Sequence, residues 1–553
     1  MKKSVLWSLV LLLVFGFAFM NDSSKSSNGG YVYLDVNNLK SGFTNSGVFN
    51  RDTTNVACGL EWPKASGKFV CFTSGLTMAC YINGQFAMTA GSYKGEYAPG
   101  YVLNGHYATN SNFKFYKVTR GDNSGTNPDW ANWGLMVPYG APWTDVNHNG
   151  IYDPSVDTPG VHGASQTIFI CLTDADSSSH DIGEGFGGGI KDPLMLSEVH
   201  LTAWAYTKNS IKDVQFIKYE VINKNTVAWD STILSIISDP DLGTATDDYI
   251  GCDTVRDMPY CYNANPTDLI YGFAPPAYGM MFLQGMVRKD VTPNVNLGMT
   301  ASNYFTNTGS APPPCESDPN GEPIPAYNIM KGFKKDLTWW LNPLASGSMK
   351  TKFTYPGSPE TNTGWTESKG SILNCGGDTN TIYYNTPNIA GDRRFTINSG
   401  PLKVNPGDTQ KIIVAQMVAR GITNRNSVGN LRDLADTAIA IYNGGFNVGI
   451  IPVNNSVPAL LNLHQNYPNP FNPVTRIKFD VPNMSSPNGI IGNPVLLKVF
   501  DITGREVSTL INEKLQPGSY EVTFDGSNLN SGIYFYQLIS GNFKETRKLI
   551  LLK

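Results

Sequence analysis

The chain has 553 residues, more than one ordinary core accommodates, so about two to four domains are expected. Charged residues make up 16% and the net charge is −4, which excludes the basic footprint of a nucleic-acid-binding protein. With 55 Gly, 35 Pro, 27 Tyr and 26 Phe, the composition favours strands and turns over helices.

At the N-terminus, Lys2 and Lys3 precede an apolar stretch over 5–19, with small residues Gly16 and Ala18 ahead of a polar segment over 21–30. This pattern predicts a signal peptide over residues 1–20, cleaved near Ala18. The apolar run falls short of the ~20 residues a spanning helix needs, and no cysteine at the cleavage region marks a lipoprotein. No later segment is apolar enough to span a bilayer, so no transmembrane span is expected once the signal is removed.

A long body follows over 31–446. Trp130, Trp133 and Trp143 cluster just before the best chemical motif, Asp145-Val146-Asn147-His148-Asn149-Gly150-Ile151-Tyr152-Asp153. Calcium takes six to eight oxygens. Asp145, Asn147 and Asn149 place side-chain oxygens at alternate positions of a curling loop, Gly150 permits the sharp turn, Ile151 offers a carbonyl, and Asp153 adds a carboxylate. Val156 stands where a bidentate Glu would close an EF-hand loop, and Asp157 comes one residue later. Pro142 and Pro154 rule out flanking helices. The expectation is a structural calcium loop of extracellular type; the alternative is an Asx-rich turn that needs no metal.

Next, Asp174, Asp176, His180 and Asp181 precede a glycine-rich run over 185–189, which lacks the Lys-Ser/Thr of a phosphate loop. A mobile surface loop is the expectation there. Apolar or alternating runs over 198–206, 214–222 and 232–237 read as strands. The acids Asp239, Asp241, Asp247, Asp248 and Asp253 come after them, on a loop at a sheet end. Three readings are open: a second metal site, solvated turn acids, or a catalytic carboxylate pair of glycosidase type. Eight cysteines permit disulfides in an oxidising compartment, and the short separation of Cys252 and Cys261 makes them the expected pair.

Two long loops are expected over 306–325 and 355–380. Strands over 395–397 and 411–419 flank the turn Pro406-Gly407-Asp408. Leu431, Leu434, Ala435, Ala438, Ile439 and Tyr442 recur at helical spacing, predicting a helix over 430–442 stopped by Asn443, Gly444 and Gly445. The six histidines are scattered, and neither H-E-x-x-H nor G-x-S-x-G occurs. A linker over 447–462 then separates the body from a change of texture.

From Leu463 the chain runs Tyr467-Pro468-Asn469-Pro470-Phe471-Asn472-Pro473. Then come Val499-Phe500-Asp501-Ile502-Thr503-Gly504-Arg505, Leu515-Gln516-Pro517-Gly518, Leu529-Asn530-Ser531-Gly532-Ile533-Tyr534, and a C-terminal block ending at Lys553. Residues 463–553 resemble the type A C-terminal sorting domain of the type IX secretion system. Short alternating runs with turn signals agree with a small immunoglobulin-like sandwich; the loop over 483–494 is longer than the family leads one to expect. The resemblance implies export across the outer membrane by the type IX translocon and removal of the domain by its sorting protease. It also implies release or attachment to surface lipopolysaccharide. The location it implies is outside, or on the outer surface of, a Gram-negative-type bacterium. Segments 239–243 and 251–254 are similar to uncharacterised secreted proteins that carry the same domain, which brings no activity with it.

The fold class expected is therefore mainly β: a β-sandwich-rich multidomain body with a C-terminal immunoglobulin-like sandwich. The functional expectation for the body is a non-enzymatic, calcium-stabilised structural, adhesive or binding protein with a glycan or protein ligand. The alternative is a secreted hydrolase, glycosidase- or protease-like, or a carbohydrate-binding protein.

Overall fold

Alternating and apolar runs in the body assemble into two large antiparallel sheets. The computed structural model describes residues 30–553 apart from 54–56, 308–311, 346–348, 378–380, 383–386, 447–449, 455–457, 459, 483–494, 514, 516–517, 527–528 and 542. The expected signal peptide over 1–20 and the long loop over 483–494 lie outside the described residues.

The first sheet has ten strands, with Ala301–Thr306, Arg393–Val404, Trp229–Asp239 and Thr73–Ile82 adjacent in that order. The second has nine, with Gln166–Thr173, Ser197–Ala205, Val214–Asn223, Thr409–Ala419, Ala277–Gln284, Met258–Asn263 and Asp248–Asp253 in sequence across it. Their inner faces meet in one core: Leu76, Leu234, Ile236 and Ile397 from the first pack against Ile170, Leu201, Ile217, Met280 and Val414 from the second. Period-two alternation sends the neighbouring side chains outward, and both outer faces are covered as well.

The helix Asn424–Asn443 lays Val428, Leu431, Ala435, Ala438 and Ile441 on Phe216, Met281, Ala415 and Met417 of the second sheet. It starts six residues before the expected 430, because Thr423 caps it by accepting from the Asn426 N–H at 3.0 Å. The helix Pro323–Met330 covers the outer face of the first sheet through Ala326, Tyr327, Ile329 and Met330. An excursion between Gln85–Ala90 and Gln166–Thr173 places Trp133 and Met136 over Phe169 and Cys171. Strands buried on both faces explain the near-continuous apolar runs in the sequence.

The cysteine expectation is corrected. Cys252 and Cys261 are buried free thiols. They sit on paired strands but out of register, with Cys252 opposite Pro259 and Cys261 opposite Ile250. The disulfide joins Cys315 to Cys375 across 60 residues, tying together the two stretches read as separate long loops.

The C-terminal segment forms two four-stranded sheets. Leu463, Phe471, Ile477, Phe479, Leu497, Val499, Val522, Phe524, Tyr536, Leu538, Leu549 and Leu551 form its own core. Strand Ile450–Asn454, inside the expected linker, pairs with Gly518–Asp525. The sandwich therefore starts earlier in the chain than the texture change suggests, since backbone pairing leaves no compositional mark there.

Candidate functional site

Arg394 is the second residue of strand Arg393–Val404 and lies at one end of the ten-stranded sheet, beside Asp239, the last residue of the neighbouring strand. Its Nε donates to the Tyr93 hydroxyl at 2.7 Å and to Asp239 Oδ1 at 3.1 Å. The Tyr93 hydroxyl in turn donates to Asp239 Oδ2 at 2.5 Å. Nη2 reaches Glu184 at 3.2 Å and Asp392 at 3.7 Å, while Nη1 stands 4.0 Å from Asp318 Oδ2.

Carboxylate oxygens of Asp239, Asp241 and Asp392 lie within 4.8 Å of one another. Burial pushes the Asp239 carboxyl above the ordinary range, against the pull of the Arg394 charge. Burial and then the Asp392 charge push Asp241 up to about 6. Three buried atoms of this cluster, Arg394 Nη1, Asp318 Oδ2 and Asp392 Oδ1, make no hydrogen bond. Crowded carboxylates with orphaned polar atoms are what a cation or a ligand hydroxyl would satisfy.

Asp239 and Asp241 are thus brought together, but the other acids of that run are not part of the cluster. Asp248 is buried, accepting from the Leu242 N–H at 3.2 Å and from Asn263 at 3.3 Å; Asn263 also donates to Asp247. Burial raises the Asp248 and Asp247 carboxyls. Asp253 accepts from Arg256 at 3.0 Å and from Arg432 on the Asn424–Asn443 helix at 2.9 Å. The five acids do not share one centre, because strand Asp248–Asp253 belongs to the other sheet.

The loop over 145–157 curls as its sequence suggests. Asp145 accepts from the N–H groups of Asn149 and Gly150 at 3.2 and 2.8 Å, and Asn147 from Asn149 at 3.1 Å. Asn149 accepts from Ile151 at 2.8 Å. Asp157 is buried and accepts from Val146 and Asp153 at 2.9 and 2.7 Å, closing the loop. Two hydrogen bonds from Ser155 hold the Asp153 carboxyl below its ordinary value.

The cluster over 174–181 divides. Asp174 accepts from Met195 N–H and Ser197 Oγ at 2.8 Å each, and His180 is buried with Nε2 2.9 Å from the Asp174 carbonyl. Asp176 caps a short turn, and Asp181 pairs with Lys94 at the surface at 2.8 Å. Trp133 is fully buried, and Trp143 meets Tyr152 edge-on at 89°, so these rings form no flat row.

Arg394, Tyr93, Glu184, Asp318 and Asp392 carry no local signal that groups them with Asp239, because they lie far from it along the chain. The signal available was Asp392-Arg393-Arg394 opening an apolar strand, since buried arginines require acidic partners.

At the C-terminal end, Phe471 is buried against Phe524 with ring centroids 5.9 Å apart. Its N–H donates to the Ile550 carbonyl at 2.9 Å, and its carbonyl accepts from Leu552 at 3.0 Å. Gly504 takes φ +81° in the turn after Asp501, a conformation glycine adopts without steric cost. Tyr467 stays exposed. The comparison with protein families matches this segment, over residues 465–552, to the secretion system C-terminal sorting domain. The chain is type IX secretion cargo. It is exported and resides outside the cell or on its surface, and the sorting domain engages the type IX machinery. Among the described residues no helix is long and apolar enough to cross a membrane. No curated protein sequence matches the chain significantly. Among solved structures, a polysaccharide lyase is similar over 64% of this chain and 34% of its own, at 9% identity and a TM-score of 0.18. The chain spans about a third of that lyase's length.

Proposed function

We propose that the exported body over 31–446 is a non-enzymatic, calcium-stabilised structural, adhesive or binding protein. In this reading the type IX sorting protease removes the C-terminal domain, and the body is released or attached to surface lipopolysaccharide, with a glycan or protein as ligand. The observation that carries it is the engagement of the acids. Asp239 is held by Arg394 and Tyr93, Asp253 lies between two arginines, and Asp248 is enclosed by Leu242 and Asn263. Carboxylates so occupied are poorly placed to move protons on a substrate. The oxygens of Asp145, Asn147, Asn149, Asp153 and Asp157 and the Ile151 carbonyl are grouped on one loop of the kind calcium takes in extracellular modules.

The test is thermal unfolding of the purified chain in millimolar calcium and in chelator, with Asp145→Asn beside the wild type. Calcium is expected to raise the wild-type midpoint, and the variant to lose most of that rise. Equal wild-type midpoints in calcium and chelator would sink the calcium part.

A secreted hydrolase or sugar-binding role is the second reading. It is favoured by Asp241, whose raised carboxyl stands beside Asp392, an acid with one buried oxygen that makes no hydrogen bond. Release of reducing ends or peptides by the wild type, abolished in Asp241→Asn, would replace the first reading by this one.

A further inference from the structure

The outer face of the nine-stranded sheet carries a second group of chemically active side chains, distinct from the Asp239 cluster. Strands Gln166–Thr173 and Ser197–Ala205 pair in a register that sets Cys171 directly opposite His200. Glu198 lies two residues before His200, so alternation puts it on the same face. Opposed positions bring Cβ atoms to roughly 5 Å and diagonal ones to roughly 7–8 Å or less, close enough for three side chains to converge. They do converge: the Cys171 sulfur, a Glu198 carboxylate oxygen and a His200 ring nitrogen all lie within 4.8 Å of one another. All three residues are buried, at 0%, 5% and 6% exposure.

The surroundings fit the group closely. His200 Nε2 is 3.0 Å from Glu198 Oε1, while the other Glu198 oxygen faces Lys224 at 3.6 Å. The Cys171 thiol is 3.2 Å from the Gly100 carbonyl. Gly140, at φ +84°, covers the imidazole so tightly that a Cβ there would come within 2.3 Å of Nδ1. Trp133, Met136 and Phe169 wall the sulfur side.

We propose that Cys171, Glu198 and His200 form a binding site for a divalent transition metal of the zinc type. Thiolate, imidazole and carboxylate are the donors zinc uses, and three protein ligands leave one tetrahedral position for water or a ligand atom. A hard cation such as calcium or magnesium prefers an all-oxygen set, so the site differs in kind from the loop over 145–157. Binding displaces the thiol proton to solvent as the metal–sulfur bond forms. A cysteine nucleophile is the competing use of the same trio. Enclosure opposes it: Cys171 is buried behind Trp133, Met136 and Phe169, and Gly140 closes on the imidazole, which leaves a bulky substrate no approach to the sulfur.

The experiment is cobalt titration of the full chain, stripped of metal by chelator and kept reduced at its free thiols. Cobalt bound through sulfur gives a thiolate-to-metal charge-transfer absorption that oxygen-only sites lack. The expected result is one such cobalt per chain, displaced by zinc. The band should be lost in Cys171→Ser and kept in Cys58→Ser, the control for the thiol beside Asp241. His200→Ala should weaken zinc by at least about 10-fold, the lower end of what loss of an outer-shell partner costs. Absence of the band in folded wild type, or its survival in Cys171→Ser, overturns the proposal. Should Cys171→Ser not fold, the wild-type and Cys58→Ser titrations decide, since band loss in the latter assigns the cobalt to the other thiol.

Discussion

Arg393 and Arg394 are neighbours, yet they serve opposite faces of one strand. Arg394 binds Asp239 and Tyr93, while Arg393 lies 2.9 Å from Glu367, which is 0% exposed. Removing one partner of a buried pair leaves an uncompensated charge and costs about 3–5 kcal/mol. Arg393→Ala is expected to lose that much stability in urea unfolding. Asp436→Ala, which opens the more exposed pair with Arg256, serves as the comparator and should lose clearly less. Similar losses in both would count against the buried-pair account. Glu96 gives the pH dependence. It is fully buried, accepts from Ala90 and Gly189, and lies 4.0 Å from His180 Nδ1. Burial raises its carboxyl from 4.5 to about 7. The native state then keeps a proton that the unfolded chain has already released. This contribution to stability is complete below about 4.5 and is lost as pH rises through about 7. The unfolding midpoint should fall across that window, by an amount on the order of 3 kcal/mol in stability. Glu96→Gln should flatten the fall, and an unchanged slope in that variant would refute the assignment.

Among elements, the disulfide is the clearest case of reach beyond the sequence. Short spacing favours Cys252 and Cys261, but a hairpin places them out of register. Cys315 and Cys375 meet because the turn that carries Cys375 packs on the turn that carries Cys315, which itself packs against strand Ala301–Thr306. Closing 60 residues restricts the unfolded chain by about 4 kcal/mol on the loop-entropy model. The double variant Cys315→Ser/Cys375→Ser should melt well below the wild type. Denatured without reductant, the wild type should show the six thiols left free; eight would remove the disulfide. The Asn424–Asn443 helix was legible from residue 430 onward, where apolar residues recur densely at helical spacing; Val428, set apart by Gly429 and Asn430, extends the buried stripe one turn earlier. Its first turn is Asn, Arg, Asn and Ser, which carries no periodicity, and only the Thr423 cap marks the start.

For the whole molecule, the address and the working body are separate matters. The C-terminal segment has a core of its own, so removing 465–552 is expected to leave the body folded and to abolish export. Immunoblots of cell fractions and medium would check this, and the truncated chain in the medium at wild-type levels would exclude the domain as the export signal. The mainly β class, the body strands and the sorting domain were readable from the sequence because each is written locally. Alternation marks a strand, glycine and proline mark turns, and the sorting blocks are contiguous. The sequence likewise grouped Asp239 with Asp241, and Asp145 with Asp157. Tertiary structure alone decided the rest. It set Arg394 and Asp392 beside Asp239, drew Asp253 away to two arginines, and laid Cys171 across from His200. These groupings depend on strand order and register, where a shift of one residue turns every side chain to the other face. No local pattern in the sequence records that choice.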